Sequence, residues 1–134
     1  MNEYRFPYVI IDEKQSPMIP ISLEYENSTK ENIYALLDSG ADISLFRRDL
    51  GEELKIPFDS LDEEIISGIG NGLVIYKQDI KLKIGKRRRE TVLKITAAFA
   101  KDRDFKLNII GRKDVFNKMN ITFARDKEIV IEII

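Results

Sequence analysis

The chain has 134 residues, 43% hydrophobic and 34% charged, with 22 basic against 23 acidic side chains and neither cysteine nor histidine. That length holds one core, and a net charge of −1 supplies no general field for nucleic acid or an anionic membrane. Without His or Cys there is no Ser-His or Cys-His nucleophile, no disulfide and none of the common zinc, haem or iron–sulfur ligand sets, so no metal or other cofactor is expected and chemistry falls to the carboxylates.

Met1-Asn2-Glu3-Tyr4-Arg5-Phe6 lacks a basic-then-apolar leader layout, and no apolar run approaches the roughly 20 residues that span a bilayer, so an intracellular, cytoplasmic protein is expected. Most of the remaining chain alternates apolar and polar residues with period two, which predicts a mainly β domain. Tyr8 to Ile11 is a short apolar run before a polar break from Asp12 to Pro17. Ile19, Ile21, Leu23 and Tyr25 alternate along a strand that ends in the turn-rich Glu26 to Lys30. Ile33 to Leu37 is denser and predicts a strand buried on both faces.

That strand runs into Asp38-Ser39-Gly40-Ala41-Asp42. A carboxylate closing an apolar strand is costly unless its charge is hydrogen-bonded, and the adjoining Ser and Gly offer a hydroxyl and a tight turn to do so. Taken alone, Asp-Ser-Gly is also a common turn. From Ser44 to Leu54, Phe46, Leu50 and Leu54 fall four apart with Ser44 as N-cap, predicting a short amphipathic helix. Ser67-Gly68-Ile69-Gly70-Asn71-Gly72 lies between strand-like Glu64 to Ile66 and Leu73 to Tyr76. A phosphate loop would open a helix, whereas this cluster leads into a strand and predicts a hairpin tip able to open and close.

Ile80, Leu82 and Ile84 alternate into Lys86-Arg87-Arg88-Arg89, a solvated hairpin end, and Val92 to Ile95 leads back. Leu107 to Ile110 predicts a buried strand passing through Gly111 into a second short helix from Arg112 to Met119, and Ile121 to Phe123 and Ile129 to Ile133 complete the strands. No repeat, linker or composition shift marks a boundary, so residues 1–134 are expected to form one domain.

In this order and at this spacing, three segments resemble the retropepsin family of aspartic proteases. Asp38 to Asp42 is similar to the family's D-(S/T)-G-A-D loop, Ser67 to Gly72 to its flap, and Asn108 to Arg112 to its I-(I/L)-G-R element. The resemblance runs from about Ile19 to Phe123, with strand extensions at both ends, and the longer stretch between loop and flap is closer to the cellular and prokaryotic branch. It implies a single-domain acid-protease β-barrel acting as a symmetric homodimer on a polypeptide, with no nucleic-acid or membrane partner. It also implies that Asp38 is catalytic and pairs with Asp38 of a second chain, and that Ser39 braces the two loops. Gly40, Ala41 and Asp42 then meet the substrate, Gly68, Ile69 and Gly70 form the flap, and Arg112, after Gly111, holds Asp42.

Two carboxylates forced together supply both a base for water and an acid for the carbonyl oxygen, because like charges at contact cannot both ionise. Each chain carries one such loop, so symmetry must supply the other. Ala41 has no hydroxyl to donate to the carboxylate, which predicts a weakly acidic optimum. A dimeric module that binds peptides without cleaving them is the other reading of the same segments; a two-carboxylate glycosidase lacks a second acid motif.

Overall fold

A computed structural model of the chain describes residues 2–68 and 72–134. The alternating segments form twelve strands. The chain opens with β1 (Glu3–Pro7) and a hairpin of β2 (Val9–Ile11) and β3 (Lys14–Ser16), then runs through β4 (Met18–Tyr25), β5 (Ser28–Leu37) and β6 (Ser44–Phe46). A six-residue helix α1 (Arg48–Glu53) and a 3-10 turn at Phe58–Ser60 precede β7 (Glu64–Ile66), β8 (Leu73–Lys86) and β9 (Arg89–Ala100). After β10 (Ile109–Ile110) and a second 3-10 turn at Phe116–Lys118 come β11 (Met119–Ala124) and β12 (Glu128–Ile133).

The main sheet closes on itself. Its order is β4-β5-β10-β6-β9-β8, with β4 also pairing β8, so six strands form a barrel and β7 attaches to the outer edge of β8. Closure removes free edges and encloses Ile19, Leu23, Phe46, Leu82, Ile84 and Phe99, all essentially inaccessible. A second, three-stranded sheet, β1-β12-β11, covers one end with Ile129 and Ile131 buried against the same core. Among the described residues no helix is long and apolar enough to cross a membrane.

The strand order positions the site. β5 and β6 are consecutive in the chain, yet β10 lies between them, parallel to β5 and antiparallel to β6. The loop Asp38–Ile43 that joins β5 to β6 must therefore pass over the end of β10.

Several local expectations change. Ser44 does not cap a helix: it is a fully buried residue of β6, and the helix starts later, at Arg48, without a side-chain cap. The run Ile43 to Phe46 reads as helix only until β9 offers parallel partners at Ala97, Ala98 and Phe99. Arg112 to Met119 forms only a 3-10 turn, because Asp114 takes a left-handed φ of 65° and Met119 already pairs with Ile133. β5 is buried on one face only, since Tyr34 is half exposed between buried Ile33 and Ala35. The polar break from Asp12 to Pro17 contains β3, and Leu107 lies outside β10, half exposed. The basic run sits where expected, with Arg87 and Arg88 in the exposed turn between β8 and β9.

Candidate active site

Asp38 is the first residue beyond β5, and its backbone N–H donates to the Ile110 carbonyl at 3.0 Å, extending the parallel pairing by one bond. The strand thus delivers the carboxylate to the barrel rim, where it is half-buried. There Oδ1 accepts the Gly40 N–H at 2.9 Å, and the Ala41 N–H closes the turn onto the Asp38 carbonyl at 3.2 Å. Gly40 is needed for closeness rather than for handedness, since a Cβ there would stand 3.2 Å from the Asp38 oxygen it serves.

The loop is clamped from below by the segment after β10. The Arg112 N–H donates to the Ala41 carbonyl and the Lys113 N–H to the Asp42 carbonyl, both at 2.9 Å. The Arg112 guanidinium donates to the Ser39 carbonyl at 2.7 Å and pairs with the Asp42 carboxylate. Gly111 lies directly under the crossing loop: a Cβ would run into the Ile43 carbonyl and come within 2.9 Å of the Ala41 carbonyl. Its N–H is satisfied by buried Ser44 Oγ at 3.1 Å. Asn108 secures the far side, accepting the Arg47 N–H on its side-chain oxygen at 3.1 Å.

Asp38 opens into a cleft of about 560 Å³, in the range of ligand-binding sites. Gly40, Ala41 and Asp42 line it beside Asp38; Ile65, Ile66, Ser67 and Gly68 wall one side, and Phe105, Leu107 and Ile109 the other. The first wall is the β7–β8 hairpin, in register from Glu64↔Ile75 to Ile66↔Leu73. Gly68 and Gly72 take φ of 97° and 102°, conformations that side-chain-bearing residues rarely adopt. The foot of this hairpin is fixed by charge: Lys101 at 2.9 Å and the Tyr76 hydroxyl at 3.3 Å donate to Glu63, and the Lys101 hydrogen bond holds that carboxyl below its ordinary range.

Asp38, Ser39, Gly40, Ala41, Asp42, Gly111 and Arg112 thus converge in one hydrogen-bonded unit, and Gly68 lines the same cleft. Ile69 and Gly70, the expected flap tip, lie outside the described residues. Ser39 is exposed, its carbonyl held by Arg112. Sequence reasoning missed Ser44 as the acceptor under Gly111, and it missed Phe105 and Leu107. The signal for the latter pair was two apolar residues, one inside and one just after the charged stretch Lys101 to Lys106. Among the described residues no group of acidic side chains is arranged to hold a metal ion.

The family model described as retroviral aspartyl protease matches residues 13–123. No curated protein matches in sequence. Among solved structures, the fold is similar to that of a retropepsin-like aspartic protease from Rickettsia conorii, with a TM-score of 0.64 at 12% identity, covering 97% of this chain and 91% of that one. It is also similar to the EIAV protease solved with the inhibitor HBY-793, with a TM-score of 0.52 at 21% identity, covering 78% of this chain and 88% of that one.

Proposed function

Because the chain belongs to the retroviral aspartyl protease family, we propose that it is an endopeptidase that works as a homodimer, with the two Asp38 carboxylates meeting across a two-fold axis. The pair shares one proton, since two carboxylates at contact cannot both ionise. The ionised carboxylate takes a proton from a water held between them as the water oxygen attacks the peptide carbonyl carbon. The protonated one gives its proton to the carbonyl oxygen. As the tetrahedral intermediate collapses, the now protonated carboxyl gives its proton to the leaving nitrogen and the C–N bond breaks, while the ionised partner takes a proton from one of the two hydroxyls, yielding a carboxylic acid and an amine and leaving the dyad with one proton again.

The observation that carries this reading is the placement of Asp38: at the mouth of an apolar cleft, on a turn whose own amide faces its carboxylate. The substrate is an extended polypeptide laid as a strand beside the β7–β8 hairpin, because a strand edge pairs best with another strand. Ile65, Phe105 and Leu107, each contributing apolar surface to the cleft, favour apolar side chains near the cut. Asp42, tied to Arg112, presents the loop backbone to the substrate rather than serving as a second acid.

Purified wild-type protein incubated with an unfolded polypeptide between about pH 3 and 7 cuts it, whereas Asp38→Asn loses about 10²–10⁴-fold in rate while staying folded. Equal cutting by both proteins, or none by a folded wild-type dimer, sinks the assignment.

A further inference from the structure

The β2–β3 hairpin stands apart from both larger sheets. It forms a two-stranded sheet of its own, and among the described residues no other strand pairs with either outer edge. Ile10 is 69% exposed and Ile11 41%, and being adjacent on one strand they point to opposite faces. A solvated hairpin keeps at least one face polar, and an isolated two-stranded hairpin is at best marginal in water. Its turn adds to the cost: Asp12 and Glu13 both take left-handed φ, 50° and 64°, at positions that favour Asn and Gly.

The hairpin is nevertheless tied down at both legs, and the second leg joins the barrel one residue from Asp38. Pro7 and Pro17 stiffen its two legs. At the first leg the Tyr8 N–H donates to the Lys127 carbonyl at 2.9 Å, and at the second the Pro17 carbonyl accepts the Leu37 N–H at 3.0 Å, one residue before Asp38. On the two-chain reading, a partner that brings its own Asp38 to this point comes up close to the leg at Pro17. The terminal strand β12 cannot serve as the joining edge, because β1 fills one of its sides and β11 the other along its length.

We infer that the β2–β3 hairpin is the arm by which each protomer grips the second copy of this chain, inserted near the joint Asp38 site so that the partner closes over Ile10 on one face and Ile11 on the other. This grip rests on the two-chain reading of the catalytic site. Contact with a partner covers both exposed isoleucines and braces the turn, and it makes assembly of the dyad depend on a segment outside the barrel.

The chain has no cysteine, so a thiol introduced by Ile10→Cys is the sole reporter in the molecule. Its rate of alkylation by a maleimide, followed across a protein dilution series with mass measured by light scattering, falls at least about tenfold as the dimer forms. A thiol from Val92→Cys, on β9 and 46% exposed, keeps one rate throughout. The double variant Ile10→Lys/Ile11→Lys raises the dimer dissociation constant by at least about tenfold and lowers proteolysis in step, with far-UV circular dichroism unchanged. The milder Ile10→Thr/Ile11→Thr gives the same direction if the lysine pair perturbs folding. An Ile10→Cys dimer whose thiol stays as reactive as in the monomer, or a Phe123→Cys dimer whose thiol on β11 is protected instead, overturns the hairpin inference and leaves the protease reading intact. A wild-type chain that cuts peptides as a strict monomer overturns the two-chain reading itself.

Discussion

At the scale of single residues, the site is a problem in crossing two pieces of chain without a gap. The Asp38–Ile43 loop passes over the end of β10, and only a residue without a side chain fits beneath it, which is what Gly111 supplies. That contact buries the Gly111 amide, and Ser44 Oγ accepts its hydrogen bond. Ser44→Ala leaves that N–H without its acceptor and lowers stability by about 1–3 kcal/mol, measured by urea unfolding. An unchanged midpoint would show that Gly111 has another partner. Ala41 bears on the chemistry rather than on stability. Ala41→Ser places a hydroxyl by the Asp38 carboxylate, favours its charged form, and shifts the pH–rate profile toward acid. A shift toward neutral pH contradicts the proposed role of this position.

At the scale of elements, the β7–β8 hairpin combines a fixed foot with two glycines in conformations other residues rarely adopt. In Gly72→Ala the added Cβ meets the Ile65 side chain at 3.0 Å and the backbone is strained by roughly 1–3 kcal/mol. Faster amide exchange at Ile65 and Ile66 and slower peptide cleavage are expected, with global stability lowered by no more than that strain; a variant with wild-type exchange and turnover shows that the φ at this position is immaterial. Elements also differ in how legible they were in the sequence. β4, β12, the second half of β8 and the first half of β9 announce themselves because there one face is in the core and alternation records it, whereas Ala97 to Ala100 of β9 are buried throughout and carry no period. The Asp38 loop, the glycine-rich hairpin and the Asn108–Arg112 segment were legible as separate pieces, and their order made them one site. β3 was invisible because Lys14, Gln15 and Ser16 are a strand only by pairing with β2. β6 was misread because its parallel partner in β9 is remote in the chain, and a local period cannot report it.

At the scale of the whole molecule, the acid in which the proposed chemistry would run is also a threat to the fold. Glu24, Glu52 and Glu63 each accept a hydrogen bond from a cation, Lys83, Arg103 and Lys101 respectively, which holds each carboxyl below its ordinary value of 4.5. Folded values below unfolded ones mean that this stabilisation is complete above about pH 4.5 and is lost as pH falls through the folded values. The Glu52 and Glu63 pairs are exposed and the Glu24–Lys83 pair is only part-buried, so each contributes little. The melting temperature is therefore flat from about pH 5 to 7 and declines below about pH 4.5, less steeply in high salt. Stability that rises on acidification contradicts this account.

The central claim is that one chain holds half of a catalytic site. Wild-type protein and Asp38→Asn, both 15.5 kDa chains, are unfolded together in equal amounts, refolded so that they pair at random, and assayed against a peptide at fixed total concentration. If every site needs an Asp38 from each of two chains, the mixture has about one quarter of the activity of pure wild type, because only that share of the dimers carries both carboxylates. About one half of that activity, with each wild-type chain as active as before, would mean that a single Asp38 suffices and would contradict the account.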